Sequence, residues 1–314
     1  MKVLEHKSVL FFCYPYRKYN KQIITALKDM GADVTYFSDS PKSRFFKILP
    51  KSIKVRIINY YYKYILYKIR GKKFDFVFVI KGTFLSVPFL KKIKTLNQDS
   101  LFLLYLWDTF KNYNYKDKLD CFDKTFSFDS IDCENFDKLE YLPLFYIKEY
   151  QERKKKEKNI DLFFIGSGVN YRKQILERLI FNLKKEDLKC KFYFPSLNLF
   201  IKTIFKKDKY FIYPAKELKH SKFIDELLSS RAVVDIQAIN QAGLTMRTIE
   251  VLGSGQKLIT TNENIIKEPF YNVNNICLIN REKPVFPLEF LDSEYIYVDM
   301  SAYTLESFLK RIFL

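Results

Sequence analysis

One stretch in the second half of the chain, residues 232–262, constrains the fold more than any other. It reads AVVDIQAINQAGLTMRTIEVLGSGQKLITTN. Its apolar, β-branched start predicts a buried strand at 233–237, and a second strand is predicted at 258–261. Between them Thr245 occupies the N-cap position of a helix that glycines end. A strand–loop–helix–strand unit of this kind belongs to an open parallel sheet, whose helix N-termini are suited to anionic ligands.

Four polar side chains surround the start of that predicted helix. Gln241 and Thr245 flank the first turn, where free backbone N–H groups and the positive end of the helix dipole suit a diphosphate. Arg247 opposes the dipole unless it meets an anion, and Glu250 lies on the same face and could accept both hydroxyls of a ribose. The alternative is an exposed ion pair between Arg247 and Glu250 at i,i+3 spacing. The residue types alone leave both interpretations open.

The rest of the chain predicts two α/β halves of ordinary domain size. The first, residues 1–147, carries six predicted strands at 8–14, 33–37, 74–80, 101–106, 124–128 and 140–145. A charged segment, KEYQERKKKEKN at 148–159, is predicted to be a linker with a solvated lysine run. The second half, 160–302, begins with a strand at 161–165, a Gly166-Ser167-Gly168 loop and a helix at 171–183. Further strands are predicted at 191–194 and 210–213.

Two predicted strands of the first half end in charged residues. Lys81 follows the strand 74–80, and Asp108 follows the strand 101–106. The carboxyl ends of parallel strands meet at one edge of a sheet, so both side chains should face the same crevice. Asp108 is the best-placed carboxylate of this half for a general base, with Thr109 and Lys111 able to position an acceptor. Its alternative role is the N-cap of a following helix.

The formal net charge of +18 predicts an anionic partner. Eleven Lys or Arg residues and no acid lie between positions 42 and 73. Residues 52–70 fit a helix with one apolar face and with Arg56, Lys63 and Arg70 on the opposite side. Such a basic, tyrosine-rich helix is suited to an anionic membrane surface. The alternative is a helix packed on its own sheet, with a solvated basic back.

Several chemistries are poorly supported by the residues. The five cysteines form no C-x-x-C pair, which favours reduced thiols without a zinc site. The chain has no G-x-G-x-x-G turn and no P-loop, and its two histidines, His6 and His220, follow no strand. The apolar run 9–13 is too short for a signal peptide, and no uncharged stretch approaches the roughly 20 residues of a transmembrane helix. We therefore expect a cytoplasmic location.

Three segments carry a resemblance to a known family: LYLWDTFKN (104–112), FFIGSGVNYRKQIL (163–176) and GLTMRTIEVLGSGQKLITTN (243–262). They resemble the bacterial glycosyltransferases of the GT-B fold that build cell-surface polysaccharides such as capsule, O-antigen and lipooligosaccharide. The resemblance is to glycosyltransferases of the group-1 type. The resemblance implies two Rossmann-like parallel-sheet domains facing a central cleft. The first would bind the acceptor and the second the nucleotide-sugar donor, with the C-terminal helix, 303–314, packing back on the first.

The resemblance also implies roles for individual residues. Glu250 would contact the ribose, and the Gly166–Ser167 loop with Arg172 would approach the diphosphate. An exposed helix charge is an alternative role for Arg172. Ala242 stands where the retaining members of group 1 carry a second glutamate, so the stereochemistry of transfer stays open. No D-x-D triplet is present, and the single-domain glycosyltransferases use that triplet to hold a metal ion.

The sequence thus predicts a metal-independent glycosyltransferase without a cofactor. It would move a sugar from a nucleotide-diphosphate donor to a lipid-linked or growing surface glycan, at the inner face of the plasma membrane. Two alternatives stay open: transfer of a phospho-polyol from a CDP donor on a similar fold, and a basic nucleic-acid-binding protein. The second lacks any RRM, helix-turn-helix, KH or zinc signature, so we expect no nucleic-acid partner.

Overall fold

The computed structural model describes residues 2–16, 18–41, 46, 49–152, 156–167, 169–183, 188–206 and 208–314. The chain forms two compact units. The first contains Met1–Pro143 together with Phe308–Leu314, and the second contains Leu144–Ser307. Each unit has its own parallel sheet.

In the described part of the first unit, six strands form one parallel sheet in the order β2-β1-β3-β4-β5-β6. The strands are β1 (Ser8–Cys13), β2 (Asp33–Phe37), β3 (Phe76–Ile80), β4 (Leu101–Leu106), β5 (Lys124–Ser127) and β6 (Leu139–Tyr141). The helices are α1 (Tyr19–Asp29), α2 (Lys51–Lys68), α3 (Val87–Leu96), α4 (Lys116–Leu119) and α5 (Ser130–Asn135). The strand order reverses between β1 and β3, so the crevice of this sheet opens beyond the carboxyl ends of those two strands.

The central strands of this sheet are continuous apolar runs because side chains cover both faces. On one face α2 contributes Tyr62 and Ile65, and its C-cap Ile69 follows them, all buried in the core that also contains alternate residues of the strands. On the other face the chain's last residues pack: the Phe308 ring lies 4.7 Å from Tyr105, and Phe313 lies 5.1 Å from Phe76. Burial of large aromatic side chains on both faces supplies most of the stabilisation of such a layer.

In the described part of the second unit, six strands form a second parallel sheet in the order β12-β11-β10-β7-β8-β9. The strands are β7 (Ile160–Ile165), β8 (Cys190–Tyr193), β9 (Phe211–Ile212), β10 (Ser230–Asp235), β11 (Lys257–Thr260) and β12 (Ile276–Leu278). The helices are α6 (Glu149–Glu152), α7 (Val169–Asn182), α8 (Leu197–Thr203), α9 (His220–Leu228), α10 (Met246–Gly253), α11 (Glu289–Asp292) and the start of α12 (Leu305–Phe313), whose residues from Phe308 onward belong to the first unit. This is the Rossmann strand order, and its crevice opens between the ends of β7 and β10.

The start of the second unit packs against the end of α10. The Tyr146 backbone pairs with the segment before α12: its N–H donates to Tyr303 O, and its carbonyl accepts from Leu305 N, both at 2.9 Å. Its ring lies so close to Gly253 that a Cβ there would be 2.4 Å from the nearest ring atom. Only glycine permits this approach without displacing the tyrosine.

Each strand predicted from the sequence is present, with ends shifted by four residues at most. The short edge strand β12 was not predicted, because three residues are too few to show a period. Part of the predicted linker is instead folded structure: residues 149–152 form α6, and Tyr150 is buried. Because most residues of the segment are charged, the sequence did not indicate that Tyr150 would be buried. Residues 153–155 of the predicted lysine run lie outside the described residues.

No helix in the described ranges is both long enough and apolar enough to cross a membrane.

Candidate functional site

The start of α10 is fixed to the end of β10 by one buried carboxylate. Asp235, the last residue of β10, accepts hydrogen bonds from Thr245 Oγ1 at 2.6 Å and Thr248 Oγ1 at 2.7 Å. Thr245 is the N-cap, as predicted, and its Oγ1 accepts from Thr248 N at 3.2 Å. The two threonines therefore hold the first turn of α10 at the carboxyl edge of the sheet, next to its crevice.

Two guanidinium groups converge on the backbone that leaves β10. Arg172 Nε donates to Ile236 O at 2.8 Å, and its Nη1 donates to Ser167 O at 2.6 Å. Arg281 Nη2 donates to Gln237 O at 3.1 Å, while its Nη1 is buried without a hydrogen-bond partner in the described chain. Burial lowers the pKa of Arg281, and the nearby charge of Arg172 acts in the same direction. Two neighbouring guanidinium groups, one of which has a donor without a partner in the described chain, are suited to bind an anion.

Arg281 was missed by the sequence analysis. It lies three residues beyond β12, at the same carboxyl edge that directed attention to Asp108 in the first half. The feature that could have identified Arg281 is its position after a strand, but β12 is too short to be predicted from its sequence. Arg172, by contrast, was predicted, and its two hydrogen bonds to backbone carbonyls make it more than an exposed helix charge.

The loop before α10 is held by amide side chains. Gln241 Nε2 donates to Gly243 O at 2.9 Å, within its own loop. Asn262 Nδ2, from beyond β11, donates to Ala242 O at 3.0 Å, and Thr261 Oγ1 donates to Gln237 Oε1 at 2.6 Å. These bonds fix the backbone of residues 237–244 at the crevice, and Gln241 takes part as an organiser of the loop.

The glycine loop after β7 lies on the other side of the same crevice. Gly166 N donates to Tyr193 O at 3.1 Å, and a Cβ on Gly166 would lie 2.7 Å from the Phe164 ring. The Ser167 carbonyl accepts from Arg172, while Gly168 lies outside the described residues. The structure thus brings together Gly166, Ser167, Arg172 and the start of α10, all of which were predicted.

Arg247 and Glu250 form the i,i+3 ion pair that was the alternative interpretation, but the pair is buried and not exposed. Arg247 Nη1 lies 2.7 Å from Glu250 Oε2, and the exposed fractions of the two side chains are 9% and 2%. Glu250 Oε1 accepts from the Tyr150 hydroxyl at 2.7 Å. The Arg247 guanidinium lies 4.0 Å over the Phe223 ring. Both carboxylate oxygens of Glu250 are therefore engaged within the unit.

In the first unit Lys81 and Asp108 meet at the carboxyl edge, as their positions after β3 and β4 predicted. Lys81 Nζ lies 2.8 Å from Asp108 Oδ2. Asp108 Oδ1 accepts from Thr109 N at 3.2 Å and from Asn112 Nδ2 at 3.0 Å. Asp108 does not cap a helix, because within the fully described segment 101–119 the next helix begins at Lys116. The alternative interpretation of Asp108, an N-cap, was therefore wrong.

Lys81 has a left-handed backbone with φ of 64°. For a residue with a Cβ this conformation costs about 1 kcal/mol or more. Lys81 lies at the crevice, immediately after β3, where strain of this kind commonly accompanies function. Glycine would adopt this backbone conformation without the steric cost but would lose the ion pair with Asp108.

A second carboxylate at this crevice, Asp39, was also missed. It follows β2 by two residues, is 1% exposed, and its Oδ1 has no hydrogen-bond partner in the described chain. Burial raises its pKa to about 6, against smaller opposite effects of the Phe84 amide and Lys81. Burial also lowers the pKa of Lys118 to about 8. The rule that selected Asp108 could have selected Asp39 as well, because this strand was predicted at 33–37, the bounds that β2 has in the structure.

Among the described residues no group of three or more His, Cys, Asp or Glu side chains is arranged to hold a metal ion.

No protein-family model and no curated protein matches the sequence. Solved structures do match, at low identity and over nearly the whole chain. Sucrose-phosphate synthase from Thermosynechococcus elongatus is 9% identical, with a TM-score of 0.56, and the match covers 98% of this chain and 95% of that one. A structure described as trehalose-6-phosphate from E. coli bound with UDP-2-fluoro glucose is 11% identical, with a TM-score of 0.60 and coverages of 97% and 95%.

The UDP-GlcNAc 2-epimerase of Methanocaldococcus jannaschii, in complex with UDP-GlcNAc and UDP, is 14% identical, with a TM-score of 0.50 and coverages of 97% and 98%. Two six-stranded parallel sheets, one of them in the Rossmann order, together with these likenesses decide the fold class. The fold is GT-B. The predicted α/β class with two Rossmann-like domains is thereby confirmed.

The unusual pKa of Asp39 leads to a prediction about stability and pH. Because the folded-state pKa of about 6 exceeds the ordinary value of 3.8, the folded protein binds this proton more tightly than the unfolded chain. The stability that the folded protein gains from binding this proton on Asp39 is therefore fully present below pH 3.8 and is lost as the pH rises through 6. Asp39→Asn should raise the free energy of unfolding at pH 7.5 by on the order of 2–3 kcal/mol. At pH 4 the difference should be close to zero. Urea denaturation at both pH values measures it.

The matched control for Asp39 is Asp99→Asn, an exposed residue of the same unit that should change neither value. An equal stabilisation by Asp39→Asn at both pH values would contradict the assignment of a perturbed proton to Asp39.

The buried ion pair of α10 leads to a second prediction. Glu250→Ala removes the carboxylate that pairs with Arg247 and takes one hydrogen-bond acceptor from the Tyr150 hydroxyl. Breaking a buried pair from one side costs about 3–5 kcal/mol. The free energy of unfolding, measured by denaturant titration, should fall by that amount. Glu294→Ala, at an exposed position of the same unit, should leave it unchanged. Equal stability of the two variants would show that the pair contributes nothing.

Proposed function

We propose that the protein is a glycosyltransferase that binds a nucleotide-diphosphate sugar at the crevice of its second unit. The observation that carries this proposal is the convergence of Arg172, Arg281 and the N-terminus of α10 at the switch point between β7 and β10. Ligands of open α/β sheets bind at such a switch point, and a helix N-terminus with two guanidinium groups fits a diphosphate. Two of the similar structures contain UDP-2-fluoro glucose or UDP-GlcNAc, which supports this ligand class.

The same groups supply the chemistry that sugar transfer requires. Negative charge develops on the nucleotide diphosphate as it leaves, and fixed positive groups stabilise that charge in the transition state. Within the described residues the buried Nη1 of Arg281 has no hydrogen-bond partner, so a diphosphate that contacts it breaks no existing hydrogen bond there. Because two guanidinium groups and a helix dipole can perform this role, we propose that the transfer is metal-independent and uses no cofactor.

Glu250 stays a predicted ribose contact. Both of its oxygens already accept hydrogen bonds, so a ribose would have to replace the Tyr150 hydroxyl or compete with Arg247. Arg247 uses its Nη1 on the Glu250 carboxylate, and its buried Nε has no hydrogen-bond partner in the described chain. The proposal therefore rests on Arg172 and Arg281, with Gly166, Ser167, Gln241 and Thr245 shaping the backbone around the ligand.

We propose that the acceptor binds in the first unit and that Asp108 removes the proton from its hydroxyl group. A base beside the acceptor is required for transfer with inversion, and Asp is a common choice. Asp108 is half-buried at the carboxyl edge and is held by Thr109 N and Asn112. The Lys81 ammonium would orient it and could also contact an acceptor phosphate.

We further propose that the protein works on a lipid-linked or growing surface glycan, peripheral to the inner face of the plasma membrane. Helix α2 supports this: Arg56, Lys63 and Arg70 are exposed, and Tyr60 and Tyr67 are 71% and 72% exposed. Lys63 lies 5.7 Å over the Tyr60 ring. Exposed tyrosines combined with cations are suited to the headgroup region of an anionic bilayer.

The donor site is tested by nucleotide binding. UDP, GDP, CDP, CMP and TDP are screened by thermal shift, and the best binder is then measured by calorimetry. Arg281→Ala should weaken its binding by about 1.5–3 kcal/mol, the value of a charge-assisted hydrogen bond. Arg178→Ala removes an exposed arginine from α7, the helix that carries Arg172, and should leave the affinity unchanged. If none of the five nucleotides binds, the proposed donor site is wrong.

Catalysis by Asp108 is tested separately. Asp108→Asn should keep the affinity for the nucleotide and lower turnover by roughly 10²–10⁴-fold, because the amide cannot accept the acceptor's proton. Asp120→Asn, a largely exposed aspartate of the same unit, is the matched control and should retain full turnover. Unchanged turnover in Asp108→Asn would remove Asp108 from the mechanism and direct the search to Asp39.

A further inference from the structure

An apolar surface patch projects from the second unit between β8 and β9. We define the α8 patch by its five large exposed side chains, which are Leu197, Phe200, Ile201, Ile204 and Phe205. Helix α8 buries none of its residues. Phe205, in the turn after the helix, is 97% exposed. Exposed apolar residues scattered singly are ordinary, but five within nine residues mark an interaction surface.

The patch is built on a fixed stem. Phe194 N donates to Ile212 O and Ser196 N donates to Pro214 O, both at 2.9 Å, which joins the two ends of the excursion. Ser196 caps α8 by accepting from Leu199 N, and Thr203 Oγ1 donates to Leu199 O at 2.7 Å. Local hydrogen bonds therefore hold the segment, and its apolar side chains contribute little to the core of the unit.

Cations accompany the patch in sequence. Lys202 and Lys206 lie within the stretch and Lys209 just beyond it, and all three are exposed; positions 188–207 contain no Asp or Glu, and the exposed Asp208 follows. The charge selects among possible partners. In a symmetric contact between two copies of this chain, the same lysines would approach one another, which is unfavourable. An apolar surface with exposed lysines close by in sequence instead complements a bilayer whose surface carries anionic headgroups.

We propose that the α8 patch inserts into the interfacial region of a membrane that contains anionic lipids. Phe205 and Ile201 would enter below the headgroups while the lysines contact lipid phosphates. This gives the second unit a membrane contact of its own, independent of nucleotide binding and distinct from α2, which belongs to the first unit. Insertion of apolar side chains persists at salt concentrations that weaken purely electrostatic adsorption.

The first experiment measures sedimentation with vesicles of phosphatidylcholine alone and of phosphatidylcholine mixed with phosphatidylglycerol. The intact protein should bind the anionic vesicles more tightly. Ile201→Ser combined with Phe205→Ser should weaken that binding roughly tenfold or more, the effect of losing two buried apolar side chains. Because both residues are exposed in solution, the thermal unfolding midpoint should not change. Val273→Ser combined with Tyr297→Ser, which changes two equally exposed apolar residues of the same unit, is the matched control.

The second experiment detects insertion directly. In vesicles that carry brominated acyl chains, Phe205→Trp should lose fluorescence beyond the quenching of the chain's single tryptophan, Trp107. Tyr297→Trp should show no such additional loss. The proposal is overturned if the intact protein fails to bind anionic vesicles, if the double serine variant binds as well as the intact protein, or if Phe205→Trp is not quenched. A change in oligomeric state without a change in vesicle binding would assign the patch to self-association instead.

These outcomes are distinguishable from a failure of the proposed transferase function. Nucleotide binding is measured without vesicles, and the double serine variant should retain the full affinity for the nucleotide.

Discussion

The parallel direction of the strands is the constraint on which the chemistry of this protein depends. Strands that run the same way end at one edge, so residues far apart in sequence are gathered there without any contact being specified in advance. Lys81 and Asp108 come together in this way in the first unit. Arg172 and Arg281, 109 positions apart, do so in the second. The helices and the aromatic core matter to function mainly because they keep these edges in place.

Most of the fold could be predicted because its signal is local. Runs such as FVFVI in β3 and LFLLYL in β4 are continuous and apolar. Thr245 was predicted as an N-cap because it directly precedes a segment with helical periodicity. What failed was information that lies in tertiary contacts. Tyr150 is one aromatic residue in a charged segment, and only its partner Glu250 reveals that it is an anchor. Strand β12 is too short to show a sequence pattern, so the position of Arg281 after a strand could not be predicted.

The candidate site shows the same division. Residue type and position predicted that Arg247 and Glu250 belong together, and the structure agrees. Neither property predicted burial, because a helix with charged residues on one face is normally assumed to turn that face to water. Here Phe223 lies under the guanidinium and Tyr150 covers the carboxylate, so the charged face is an interior one. A motif inferred from resemblance can thus coincide with a structural element, and the two roles need separate measurements.

The close approach of Tyr146 to Gly253 gives α10 two ends of different character. One end presents free N–H groups to the crevice, and the other is covered by the ring of Tyr146, from the first residues of the unit. Tyr150, four residues later, holds the middle of the same helix through Glu250. Residues 146–150 and α10 are therefore packed as one rigid element. A shift of the helix along its axis would bring Gly253 into collision with the Tyr146 ring. The segment through which the chain enters the second unit is therefore packed directly on the helix whose start lies at the crevice.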